Sequence, residues 1–246
     1  MPHDHVPIFF VASAIFFAAG IVKGVLGMGL PTVAMGLLGL LMPVPQAASL
    51  LALPSLVTNV WQALAGGALP ALLRRLGSLQ LGIAAGVVAA AWLPPLQDAA
   101  GRMLLGGCLL AYGVLGAAGW RLSAPSPRMQ VLAGPVVGAA TGVVTGLTGV
   151  FVLPAVPYLQ ALGLDRNAFA QALGLSFTTS TLALAGLLAA RGHLGVAASM
   201  QSALCLVPAL AGMWIGQVIR HDMSEAGFRK CFFLGTVALG GWLLLR

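Results

Sequence analysis

The stretch KGVLGMGLP, residues 23–31, decides the fold, because a related stretch follows it at an offset of 122 residues. There the chain reads TGLTG over residues 145–149, with Pro154 close to the position that matches Pro31. In both copies, glycine and proline interrupt an apolar segment. Such paired interruptions are typical of secondary transporters built from two repeats, where they indicate the substrate site.

The composition predicts a membrane protein. Hydrophobic residues make up 59% of the chain, charged residues 7%, and the mean hydropathy is +1.00, whereas soluble domains carry about 25% charged residues. The net charge of +7 comes from lysines and arginines dispersed between apolar segments. We therefore expect the lipid bilayer, and no nucleic acid, as a partner.

Two apolar segments, residues 6–42 and 131–162, are too long for one crossing. As a single helix the first would span about 55 Å, against about 30 Å of hydrocarbon. Each segment has its glycine cluster near the middle, which predicts a broken or re-entrant helical hairpin with the glycines at its tip. The fold class is thus an all-α polytopic bundle of two membrane repeats, residues 1–122 and 131–246, joined by a linker over 123–130.

Charge counting favours this topology over single crossings. If each long segment returns to the face it entered, eight basic residues gather on one face and three on the other, as the positive-inside rule requires. The eight are Arg74, Arg75, Arg121, Arg128, Arg166, Arg220, Arg229 and Lys230, and the three are Arg102, Arg191 and Arg246. This split predicts inverted repeats, both termini outside, and hairpin tips that meet near the midplane of the membrane.

Three motifs resemble the TauE/SafE family: the Gly-x-x-Gly-x-Gly run of residues 24–29, the run at 145–149, and LSFTTS at 175–180. The resemblance covers essentially the whole chain. It implies a bacterial permease for sulfite, sulfonate or related sulfur–oxygen or carboxylate anions, working by alternating access. Where members of the family often carry three consecutive glycines, this chain has Gly29 followed by Leu30.

The tip glycines are candidates for binding the anion through their backbone. A broken helix offers N–H donors and positive potential at its N-terminus, and glycine lets the backbone approach the ligand. The alternative is that these glycines serve close helix packing. The candidates are Gly24, Gly27, Gly29, Gly146 and Gly149.

Lys23 is the only basic residue inside the first apolar segment. A charge there costs roughly 2.5 to 3.5 kcal/mol on insertion scales, which favours a functional role. The repeat places neutral Thr145 at the matching position, so one side of the site would be charged and the other hydroxylic. The alternative is a lysine whose side chain extends to the membrane interface.

Hydroxyl and amide side chains of the following helices complete the predicted site, because they can hydrogen-bond an anion without trapping it. Their alternative role is to hold helices together. The polar candidates are Asn59, Thr145, Thr148, Ser176 and Thr179.

Other activities have weaker support in the sequence. An intramembrane serine protease would need a nucleophile and a base, for which Ser176 and His193 are the available pair. A passive anion channel is a closer alternative. No metal site or cofactor is predicted, a homo-oligomer is compatible with the pattern, and the sequence does not reveal a coupling ion.

Overall fold

The computed structural model describes residues 5–94, 96–120, 122–220 and 224–245, which form ten helices and no strand. The first half contains α1 (His5–Leu26), α2 (Leu30–Leu38), α3 (Val44–Leu64), α4 (Leu69–Ala91) and α5 (Asp98–Ala117). The second half contains α6 (Pro127–Thr148), α7 (Ala155–Ala161), α8 (Arg166–Ala190), α9 (Val196–Ile219) and α10 (Glu225–Leu245). The all-helical prediction is confirmed.

The two halves have the same order of helices: one long, one short and three long. Helix α1 ends at Leu26 and α6 ends at Thr148, which are 122 residues apart. Each end is followed by a glycine with positive φ, Gly27 at 73° and Gly149 at 69°. Glycine adopts this conformation without steric cost, so the repeated glycines explain why both long helices stop at the same place.

Helices α1 and α9 pack with their backbones in contact. A Cβ placed on Gly20 would lie 3.0 Å from the Met213 nitrogen, and one placed on Gly24 would lie 2.8 Å from the Gly216 Cα. Only glycine allows this approach. Because later residues of α1 meet later residues of α9, the two helices run parallel.

Helices α4 and α6 repeat this arrangement. A Cβ on Gly138 would lie 3.0 Å from the Gly82 Cα, and one on Gly142 would lie 2.8 Å from the Gly86 Cα. This pair is also parallel. The first helix of each half therefore packs on the fourth helix of the other half.

The pair α3 and α8 runs antiparallel. Gln62 donates to the Ala170 carbonyl at 2.9 Å, while Ser55 and Thr181 share a hydrogen bond of 3.1 Å. Residue numbers thus rise along α3 as they fall along α8. The contact lies at the centre of the bundle, where both helices are largely buried.

The pair α5 and α10 is antiparallel as well. A Cβ on Gly106 would lie 2.9 Å from the Leu243 Cβ, and one on Gly113 would lie 2.8 Å from the Val237 nitrogen. Helix α10 also touches the short helix α2, where a Cβ on Gly36 would meet Leu239. This pair therefore covers the outer side of the first hairpin.

Helix α1 and the nine-residue helix α2 are joined by a turn at residues 27–29. A Cβ on Gly29 would lie 2.7 Å from the Val22 Cγ1 atom, so the turn lies against the last turns of α1. With 22 residues, α1 is about 33 Å long. We use the name first hairpin for α1, residues 27–29 and α2, and second hairpin for α6, residues 149–154 and α7.

Within the described residues, seven helices are long and apolar enough to cross a membrane: α3, α4, α5, α6, α8, α9 and α10. All five tryptophans are solvent-exposed, as is usual for aromatic residues that face lipid near the membrane interface. The chain is therefore a multi-pass membrane protein.

The helix ends define two ends of the bundle. Arg75 on α4 donates to Gln130 on α6 at 3.0 Å, so both helices begin at one end, and we call this the basic end. Its described basic residues are Arg74, Arg75, Arg128, Arg166, Arg220, Arg229 and Lys230. Arg102 and Arg191 lie at the opposite end, and Arg121 and Arg246 fall outside the described residues.

Candidate functional site

Lys23 lies inside the bundle with only 3% of its surface exposed. Its ammonium donates a hydrogen bond to Oδ1 of Asn59. The Asn59 amide donates to Ser55 Oγ at 2.9 Å and to Thr181 Oγ1 at 3.4 Å. We call Lys23, Ser55, Asn59 and Thr181 the Lys23 network; it joins side chains from both halves of the chain.

The Lys23 network is unusual because it buries a cation among neutral groups. Among the described residues, Asn59 alone accepts a hydrogen bond from the ammonium, although an ammonium has three donors. In the part of the chain that the structure describes, no carboxylate pairs with Lys23. Buried charges are normally paired, and the Lys23 side chain is enclosed by the protein.

The first hairpin tip is held by Gln62. Its amide nitrogen donates to the Gly27 carbonyl at 2.8 Å and to the Ala170 carbonyl at 2.9 Å. Gly27 and Gly29 both have positive φ, at 73° and 107°. A Cβ on Gly27 would find its nearest neighbour, the Gln62 nitrogen, at 3.9 Å, so there is space beside this tip.

The second hairpin tip satisfies its own hydroxyl groups. Thr148 donates to the Val144 carbonyl at 2.7 Å and accepts from the Val150 nitrogen at 3.2 Å. Thr145 donates to the Val150 carbonyl at 3.3 Å. Both threonines are fully buried. Here the side chains stabilise the turn, and no cation stands where Lys23 stands in the first half.

A cavity of about 240 Å³ reaches the second tip from the end opposite the basic end. We call it the Gly149 cavity; Gly146 and Gly149 line it, together with Asp98, Arg191 and His193 near its mouth. Its remaining lining is mostly apolar, from Val44, Pro45, Ala48, Leu96, Gln97, Gly101, Leu147, Leu184, Leu187 and Leu188. Two of the predicted site glycines thus border space large enough for a small anion.

The two tips do not meet near the midplane, and that expectation was wrong. The first tip contacts Gln62, and a Cβ on Gly149 would lie 3.5 Å from the Ala48 Cβ. These two contact residues are 14 positions apart on α3, or about 21 Å. The helices before the tips are long enough to carry each tip past the middle, so the structure does not bring Gly27 and Gly149 into one site.

Gly24 is a packing residue in this structure, since its α-carbon lies against α9. Gly146 has a mixed position: a Cβ there would lie 2.6 Å from the Ala90 Cβ, yet the residue also borders the Gly149 cavity. Gly24 therefore serves close helix packing, whereas Gly146 both packs against a neighbouring helix and lines the Gly149 cavity.

Ser176 and Thr179 make their described hydrogen bonds outside the Lys23 network. Ser176 accepts a hydrogen bond of 3.1 Å from Gln80 on α4, and Thr179 donates to the Leu175 carbonyl of its own helix at 3.2 Å. His193 follows the end of α8, about 20 Å from Ser176 along the helix axis. The structure does not assemble the serine–histidine pair.

Sequence reasoning missed Ser55 and Gln80. Ser55 precedes Asn59 by four residues, the spacing that places two side chains on one face of a helix, and that signal was available. Gln80 lies in an apolar helix of the first half, and only the packing of α4 on α8 brings it to Ser176.

Comparison with known proteins supplies a family. No curated protein and no solved structure matches the chain. The family model described as "Sulfite exporter TauE/SafE" matches residues 12–243. That range includes every residue of the Lys23 network and of the Gly149 cavity lining, and the chain therefore belongs to the TauE/SafE family of membrane transporters.

Proposed function

We propose that the protein moves a small anion, of the sulfur–oxygen or carboxylate kind, across the membrane by alternating access. The observation that carries this proposal is the buried ammonium of Lys23, which has a neutral hydrogen-bond partner and no described carboxylate beside it. A bound anion would supply the missing counter-charge. The neutral hydroxyls and amide around it would bind the anion weakly enough to release it.

Alternating access requires two related halves that move against each other, and the helix pairs support such an arrangement. The pairs α3–α8 and α5–α10 run antiparallel, whereas α1–α9 and α4–α6 run parallel. These directions are those expected if the second half is the first half inverted in the membrane. The glycine-lined pairs α1–α9 and α4–α6 would then move as two bodies.

The route that we propose connects the Gly149 cavity with the Lys23 network. The cavity borders Ala48, and Ser55 lies seven residues further along α3, about 10 Å away. An anion entering beside Gly149 would pass between α3 and α8 to reach Lys23. It would leave past Gly27 when the first tip opens.

The sidedness follows from the charges. We propose that the basic end faces the cytoplasm and that the Gly149 cavity opens outward, because cytoplasmic connections carry the excess of lysine and arginine. The membrane would be the bacterial inner membrane. Both chain termini would then face outward.

Uptake into proteoliposomes tests the function. Sulfite, thiosulfate, taurine and acetate should be offered with and without a proton gradient, using empty liposomes and Lys23→Ala protein as controls. We expect saturable uptake of at least one anion by the parent protein, no uptake by empty liposomes, and a raised KM for the Lys23→Ala protein. Uptake that rises linearly with concentration, together with ionic conductance, would instead identify a channel.

A further inference from the structure

A second cavity lies at the basic end, between α5, α7, α8 and α10. It holds about 280 Å³ and we call it the arginine cavity, because Arg166 and Arg229 line it together with Trp120 and Gln160. Two guanidinium groups are thus part of its described lining. Guanidinium groups suit oxyanions because they offer several donors in one plane.

The floor of the arginine cavity touches the first hairpin. Tyr112 lines the cavity, and its hydroxyl lies 3.4 Å from Sδ of Met28, between the two tip glycines. Phe233 also lines the cavity and packs edge-on against Tyr112, with ring centroids 5.4 Å apart. Tyr112 therefore touches both the arginine cavity and the first tip.

We propose that the arginine cavity is an anion-binding site from which the anion reaches, or leaves, the first hairpin at the basic end. This inference rests on the proposed function for its role in transport, but its anion binding can be measured without transport. Tyr112 and Met28 would form the barrier between the cavity and the Lys23 network. The anion would be a free solute, and a lipid phosphate group is the competing occupant.

Trp120 provides a local probe, since it lines the cavity. A protein that keeps Trp120 and has phenylalanine at Trp61, Trp92, Trp214 and Trp242 would report quenching at this position alone. Those four side chains are exposed, so the parent single-tryptophan protein should fold. It would be placed in nanodiscs of neutral phosphatidylcholine and quenched with iodide, an anion, and with uncharged acrylamide.

Two matched charge removals test the site. Arg166→Gln with Arg229→Gln removes the cavity charges, whereas Arg128→Gln with Lys230→Gln removes two charges from the same end that do not line the cavity. Two nearby charges raise the local concentration of iodide, so the first pair should lower iodide quenching by roughly two- to threefold. Acrylamide quenching should stay unchanged, and the second pair should have a smaller effect.

Sulfite should protect Trp120 from iodide in the parent protein and not in the cavity variant. Equal loss of iodide quenching in both charge variants would overturn the proposal, because surface potential alone would explain it. Loss of sulfite protection when phosphatidylglycerol is added would assign the cavity to lipid and overturn it too. Unchanged uptake kinetics in a cavity variant that no longer binds sulfite would overturn the transport role, while leaving the proposed function intact.

Discussion

The two hairpins share a backbone and differ in chemistry. Each consists of a long helix, a positive-φ glycine and a short helix. The first places Lys23 in a network with side chains of α3 and α8, whereas the second uses Thr145 and Thr148 to bond its own turn. The difference teaches that the repeat preserves the break in the helix, while the charge that would attract an anion is present on one side only.

The largest expected effect concerns the membrane topology, because a reporter fused to the chain lies entirely on one side of the membrane or on the other. If the hairpins enter from opposite faces, reporter fusions after Arg75 and at Ser126 should report the cytoplasm, and a fusion at the C-terminus should report the periplasm. The charges of the basic end are the physical reason. Alkaline phosphatase and green fluorescent protein fusions measure this directly, and a cytoplasmic C-terminus would rule out inverted halves.

Changing Lys23 and Thr145 separates the charged hairpin from the hydroxylic one. Lys23→Ala should raise the KM for uptake roughly 10- to 100-fold, because a charge-assisted hydrogen bond contributes about 1.5 to 3 kcal/mol. Lys23→Arg should lose less, since it keeps the charge. Thr145→Val removes a bond to the Val150 carbonyl and should leave KM within about twofold.

Initial uptake rates at matched protein levels give these KM values. Similar values for the parent and Lys23→Ala would remove Lys23 from the anion site. A large effect of Thr145→Val on KM would show that both hairpins contact the anion.

Alanine at the two tip glycines tests whether the backbone at both tips binds the anion. Gly27→Ala and Gly149→Ala each force alanine into a left-handed conformation, at a cost of about 1 to 2 kcal/mol. At Gly149 the new methyl group would also press on Met35, 3.0 Å away. We expect both proteins to fold and to lose uptake together with the substrate-induced rise in Tm.

The controls are Gly107→Ala and Gly241→Ala, because a Cβ at either position meets nothing within 4 Å. Gly86 and Gly113 would be poor controls, since a Cβ there would collide with the backbone of a neighbouring helix. If both tip variants keep the full substrate-induced rise in Tm, the anion binds to the side chains of the Lys23 network and not to the backbone at the tips.

Gln62→Leu should have the smallest effect, and it should be confined to the first hairpin. Gln62 holds the Gly27 carbonyl, and the residue at its matching position is Leu184. Loss of its hydrogen bonds should weaken the first tip by about 1 to 2 kcal/mol, so amide exchange near residues 27–29 should rise roughly 5- to 30-fold. Mass spectrometry measures this exchange, and the exchange rate near residues 149–151 should not change. An equal rise in the exchange rate at residues 149–151 would mean that the two tips are coupled.

The sequence was enough to predict the helical class, the membrane environment and the positions of both helix breaks. These follow from local properties: apolar composition, segment length, and glycine at a position that needs positive φ. Lys23 was also visible, because a lone charge in an apolar segment is conspicuous. Its partner Asn59 was a candidate for a similar reason, as a polar side chain in an apolar helix.

Only the tertiary structure decided how these parts are arranged. Hydropathy and charge counting specify which segments cross but not how far along a neighbour each helix extends, so the two tips were placed together although α3 separates them by about 21 Å. The role of Gly24 likewise depended on the approach of α9. Side chains that are distant in sequence, such as Gln80 and Ser176, meet only through helix packing, and a single sequence carries no direct signal of such contacts.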